Sequence, residues 1–229
     1  MNQSSEPRPA SDIARTLHTP RSAALAGVVF ALLYGTPLVL IRLSFPSGAA
    51  DRSAWVASRI DNLSIAIHLV AYSGIAFLWF MGVVRTRIGS REDRFLSTVF
   101  TGSGYLFLAM TFVAGAVTSG VMANYQQAAG NIANDGSFTL GSRVGYELVN
   151  TYSVRMAGVF MFSLGTLCLR TGAMPRGFVW LTYVLAAAMV LSISSTLWAT
   201  MAFPLWVLVF STYLLLRGLG AEPEPAQSQ

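Results

Sequence analysis

The sequence predicts an all-α polytopic membrane protein, a bundle of six transmembrane helices. Three observations predict it. Of 229 residues, 54% are hydrophobic and 11% charged, whereas a soluble domain carries about 25% charged residues. Mean hydropathy is +0.56. Six apolar stretches of near-spanning length follow one another, and a spanning helix needs about 20 apolar residues. Little chain is left for a soluble domain.

Residues 1–20 are polar, rich in Pro, Ser and Arg, and are expected to be a disordered cytoplasmic tail, with "SDIARTLH" as one short surface helix. The transmembrane domain is expected over 21–217. Its first span, about 22–41, reads "SAALAGVVFALLYGTPLVLI". This apolar stretch exceeds the 7–15 residues of a signal peptide, so "SGAA" after it is not expected to be a cleavage site. Ala23, Gly27, Ala31 and Gly35 recur every fourth residue, a spacing that lets helix backbones approach. The second span is about 63–84. The third, about 97–122, carries Gly115/Ser119 and Ala116/Gly120 at the same spacing, for packing within the chain or for a homodimer seam. The fourth is expected at about 152–169, with Ser142 as N-cap of a helix that begins above the membrane. The fifth, about 177–195, and sixth, about 197–216, are joined by a turn near Ser194–Ser195. Pro37 and Pro204 should kink the first and sixth spans. Residues 218–229, with "AEPEPAQSQ", are expected to be a disordered cytoplasmic tail.

Orientation follows from arginine. The fifteen basic residues are all Arg, a codon bias that points to a GC-rich, bacterial genome. Ten lie on the side of the two tails, the "RTRIGSREDR" loop and the Arg170–Arg176 turn; five lie on the other. The positive-inside bias puts both termini in the cytoplasm of a bacterial plasma membrane. Arginines that flank spans account for the net charge of +5 without any nucleic-acid partner. The loop should attract anionic headgroups of membrane lipids.

No catalytic residue, cofactor or metal is assigned. Cys168 is the single cysteine, which excludes an intrachain disulfide, and its apolar surroundings make it a packing residue. A bis-histidine haem needs two facing imidazoles, but His18 lies in the tail and His68 alone in a span. The chain has no HExxH, P-loop, CxxC or GxSG motif. Ser103, in "TGSGYLF", has no base at its depth and is expected to mark tight packing.

The polar residues within the spans are the remaining handle on function. Arg155 heads the apolar run that ends at Arg170, about 22 Å from that interface by helical rise. Arg143, Glu147, Thr151 and Arg155 recur every fourth residue and share a face. On the second span Asp61, Ser64, His68 and Tyr72 do the same, with His68 about 25 Å above Arg85. If the two stripes face each other, Asp61, His68, Tyr72, Glu147 and Arg155 form one buried polar cluster in the outer leaflet. Ionisable groups at such depth are costly unless paired, and they mark functional sites by default. Two readings stand: a static bridge that fixes packing, and a ligand or proton site. Arg155 could also simply snorkel to the interface.

"YSGIAFLWFMGVVRTRIG" and "LRTGAMPRGFVWLTYVLA" resemble segments of a loose group of uncharacterised six-span actinobacterial and other bacterial membrane proteins, in which a span ends in an R(T/S)G-x-(M/L)-PR turn. The likeness covers most of 20–217. It implies the six-span architecture and supplies no site residues.

The expected function is non-catalytic: a binding or accessory subunit for a lipid-like or small amphipathic ligand or a membrane-protein partner. One alternative is a small, proton-coupled transporter using His68, Asp61 and Glu147. A second is an intramembrane lipid-modifying enzyme with His68 as base. A polar cavity reaching the midplane from both sides would favour transport, a lateral opening lipid binding, and a dry, sealed bundle the accessory role.

Overall fold

A computed structural model describes residues 19–44, 52–88, 94–127, 136–191 and 197–219. These residues are helical apart from one short turn. The elements are α1 (Thr19–Ser44), α2 (Arg52–Ile88), α3 (Arg94–Gln127), α4 (Gly136–Glu147), a π-helical turn (Leu148–Ser153), α5 (Val154–Thr171), α6 (Arg176–Leu191) and α7 (Leu197–Leu219). The chain is therefore all-α. Among the described residues, three helices are long and apolar enough to cross a membrane: Ser64–Arg85, Arg94–Asn124 and Gly136–Thr171. Ala24–Leu40, Arg176–Leu191 and Thr200–Leu216 are shorter apolar helices.

One boundary differs from the sequence reading. The fourth helix begins at Gly136, before the expected N-cap Ser142. It runs without a break from Gly136 through the π-turn to Thr171, and Ser142 lies inside α4. The cause is tertiary. Gly141 lies so close to α3 that a side chain would overlap Val121, and a Cβ on Gly145 would stand 3.1 Å from Thr118 Oγ1. This close approach holds α4 along α3 and extends the helix past its polar first turn. Residues 19–20 and 218–219 of the expected tails are helical, and the rest of the tails and the Ser194–Ser195 turn fall outside the described residues.

The "RTGAMPR" turn has a local explanation. Gly172 adopts φ 65°, the left-handed conformation that ends α5, and its N–H bonds to Cys168 O. Only glycine takes this conformation without steric cost. The Pro175 carbonyl accepts from Phe178 N at 3.0 Å as α6 begins.

α1 packs between α2 and α7, α5 packs on α6, and α3 borders α2, α4 and α5. Glycines set the tightest crossings. A side chain at Gly27 would overlap Ser211 of α7, and a Cβ on Gly158 would stand 3.0 Å from Ala186 O of α6. At the centre Phe30, Phe77, Phe107, Phe160 and Phe203 meet, one each from α1, α2, α3, α5 and α7, all buried. Their ring centroids lie 4.8 Å apart for Phe30–Phe77, 5.2 Å for Phe77–Phe107 and Phe77–Phe160, and 4.8 Å for Phe107–Phe203. Tilted and edge-on pairs of this kind contribute about 0.5–1.5 kcal/mol each beyond their buried area.

The small-residue stripes divide. On α1, Gly27 serves an intrachain crossing. On α3, Gly115 and Gly120 have no atom within 4 Å of an added Cβ, and Ala116 and Ser119 are exposed.

Candidate functional site

The column Glu147–Thr151–Arg155 exists as a linked ladder on one side of the π-turn. Thr151 Oγ1 donates to Glu147 Oε2 at 2.6 Å, and Arg155 Nη1 donates to the Thr151 carbonyl at 2.8 Å. Glu147 is exposed and Arg155 half-buried. On α2, His68 and Tyr72 are exposed, and His68 Nδ1 donates to its own helix at Ser64 O, 2.7 Å away. That bond fixes the tautomer with the proton on Nδ1. The Asp61 side chain falls outside the described residues. Of the four members of the expected cluster whose side chains are described, none is buried within the bundle. The reason is packing. α2 turns its buried face to α1 and α3, and the helix carrying the column turns its own to α3 and α6. The two polar stripes occupy what remains.

On the opposite, inward side of the π-turn the structure gathers hydroxyls that sequence reasoning missed. Ser153, 1% exposed, meets Thr111 of α3 with 3.0 Å between Oγ and Oγ1. Thr111 Oγ1 donates to Phe107 O at 2.8 Å, which leaves Ser153 as donor in the pair. Tyr34 of α1, also buried, lies beside this pair. Beside them is a cavity of about 10 Å³ lined in part by Tyr34, Ser153, Thr200 and Phe203, with room for one water molecule at most. Two helix irregularities flank this site. Pro37 lies one turn beyond Tyr34 in α1, and Pro204 follows Phe203 in α7. Each proline lacks the backbone N–H that an ordinary helical residue would donate.

The π-turn is what places Ser153 inward. Gly141, Gly145 and Ser153 all turn toward α3, against Val121, Thr118 and Thr111 respectively. They are separated by multiples of four residues. An α-helix advances about 100° per residue, so each four-residue step drifts about 40° from a straight line. The π-turn inserts one extra residue, seen as the Val154 N–H bonding to Val149 O, and offsets about 100° of that drift. The same insertion keeps Glu147, Thr151 and Arg155 in one column outside. Small residues at Gly141, Gly145, Ser153 and Ala157, spaced by four or eight, were the signal in the sequence.

A second, shallower feature lies where α3 ends and α4 begins. A groove of about 250 Å³ is lined by Val117, Gly120, Val121, Asn124, Ser137 and Phe138. Its walls are apolar, with an amide and a hydroxyl among them. Among the described residues no three His, Cys, Asp or Glu side chains stand close enough to hold a metal ion.

No protein-family model, no curated protein and no solved structure matches the chain.

Proposed function

We propose that this chain is a six-span protein of the bacterial plasma membrane, with both termini cytoplasmic, that acts as a non-catalytic accessory subunit for a membrane-protein partner. The observation that carries the reading is the filled centre. Five phenylalanines from five helices occupy the axis along which a substrate would pass, and the cavity beside them admits at most one water. A bundle whose centre is filled by these rings offers its surfaces rather than its interior. The polar column of Glu147, Thr151 and Arg155, with His68 and Tyr72 on α2, lies on those surfaces. Such groups are costly against lipid, and a partner helix that hydrogen-bonds to them offsets that cost.

Native mass spectrometry of the protein extracted in mild detergent tests this. A protein partner should travel with it at fixed stoichiometry, and Arg155→Leu or His68→Leu should release that partner while the subunit stays folded. A chain that travels alone, and that moves a solute when reconstituted into vesicles, would overturn the accessory reading in favour of transport.

The groove between α3 and α4 supports a second reading, a site for a small amphipathic ligand. Its apolar walls suit an acyl or isoprenoid segment, and Asn124 and Ser137 suit the polar end. A retained lipid that Gly120→Phe expels would favour this reading over a protein partner.

A further inference from the structure

We propose that the outward face of α2 is a seam for a second copy of this chain, in which Tyr72 of each copy donates a hydrogen bond to His68 of the other. The inference rests on the accessory reading only in placing Ser64–Arg85 within a membrane.

α2 has two faces. Ala66, Ser73, Phe77, Phe80 and Val84 are buried inside the bundle. Ile65, His68, Tyr72, Ile75 and Trp79 lie on the opposite side at about 100° per residue, and all five are exposed. They follow one another at intervals of three, four, three and four residues. That is the spacing that keeps one face turned to a neighbouring helix through several turns of a left-handed pair. All are large, so they stand out from α2 as a ridge.

Lipid covers an apolar ridge readily. Two members make this one different. By helical rise His68 and Tyr72 stand about 25 Å and about 20 Å from Arg85, inside a hydrocarbon core about 30 Å thick. The His68 proton is held on Nδ1 by Ser64 O at 2.7 Å, which leaves Nε2 as an acceptor. Tyr72 carries a hydroxyl donor. Among the described residues neither Nε2 nor this hydroxyl has a hydrogen-bond partner, and polar groups unpaired against lipid are costly. The outward residues of α3 between Leu106 and Ala116 contrast with these. Leu106, Ala109, Phe112, Val113 and Ala116 are exposed and wholly apolar, so lipid suits them.

An acceptor and a donor one turn apart on one face are complementary to a second copy of themselves. Copies of one chain insert in the same orientation, so a twofold axis along the membrane normal sets their α2 helices side by side and parallel. Across that seam Tyr72 of one copy lies about 6 Å further along than His68 of the other. Side chains on a helix lean toward its N-terminus, which carries the Tyr72 hydroxyl back toward the level of the opposite imidazole. The exchange is reciprocal: two phenol O–H groups donate, two Nε2 atoms accept, and none of the four is left facing lipid.

Energy transfer between labelled copies in lipid vesicles tests the proposal, with dyes on Ser142→Cys, an exposed position of α4, in the full chain carrying Cys168→Ala. The parent should dimerise. Tyr72→Phe, which keeps the ring, and His68→Leu should each raise the dimer dissociation constant about tenfold, as the loss of two such bonds within a membrane implies. The double change should cost no more than either alone, because all three remove the same bonds. Mixing the two single variants is the decisive arm. The Tyr72→Phe copy retains His68 and the His68→Leu copy retains Tyr72, so the mixed pair regains one bond that neither pure pair has. Mixed dimers should therefore exceed the statistical half. A monomeric parent, a dimer indifferent to both changes, or a purely statistical mixture would overturn the seam. Native mass spectrometry separates this from the accessory reading. Two copies without another protein support the seam and count against a foreign partner, one copy bound to another protein does the reverse, and two copies with another protein support both.

Discussion

Ser153 and Thr111 stand 42 residues apart in the chain and 3.0 Å apart in the fold, and their hydroxyls join the π-turn to α3. A buried pair of this kind is worth more than either partner alone. Thr111→Val should cost about 1–2 kcal/mol, because it orphans the Ser153 donor. Adding Ser153→Ala should cost less than the sum of the two single changes, with a coupling of about 0.5–1.5 kcal/mol. Denaturant unfolding in detergent, followed by tryptophan fluorescence, measures both. Strict additivity would show that the contact contributes nothing.

Gly158→Ala should destabilise the protein by about 1–3 kcal/mol, since the new methyl group would stand 3.0 Å from Ala186 O and 2.8 Å from Val190 Cγ2 and force α5 off α6. Gly115→Ala is the matched control. It meets no atom within 4 Å and should leave stability within about 0.5 kcal/mol. Thermal melting of both variants in one detergent decides the comparison.

Gly172→Ala should lower stability by about 1–2 kcal/mol, because φ 65° crowds a Cβ against the backbone. Gly172→Asn should recover part of the loss, as asparagine tolerates the left-handed region better than alanine. Equal stability of all three proteins would remove the turn from the list of determinants.

The membrane orientation rests on the ten-to-five arginine bias. Cysteine introduced at Asp135 should react with an impermeant thiol reagent in intact cells, and cysteine at Ser90 should react only after lysis. The opposite pattern would invert the bundle and place the Glu147–Arg155 column on the cytoplasmic side.

The helical class and the RTGAMPR turn were legible because each rests on local chemistry: apolar length in one case, a glycine–proline pair in the other. The column Glu147–Thr151–Arg155 was legible too, since residues four apart share a helix face whatever surrounds them. What surrounds them was not. His68 and Tyr72 share a face in the sequence, but which neighbour covers that face depends on how α2 meets α1 and α3, and no periodicity encodes that. The start of the fourth helix was misplaced because the polar residues between Ser137 and Arg143 outweighed the two glycines that dock α4 on α3. The π-turn was hidden by its own regularity: a repeat of four looks like an ordinary helix until its drift is summed over several turns.

The packing of α1 between α2 and α7 has a consequence for biosynthesis. Of the two neighbours of α1, α7 is made only after α2 to α6. Gly27 waits for Ser211, and Phe30 waits for Phe203. At about 5–20 residues per second, that interval is on the order of ten seconds or more. Throughout it the Gly27–Phe30 face of α1 is covered on the α2 side by Phe80 and Phe77 and lacks its α7 side. Chains that stop before α7 therefore leave this side of α1 without Ser211 and Phe203.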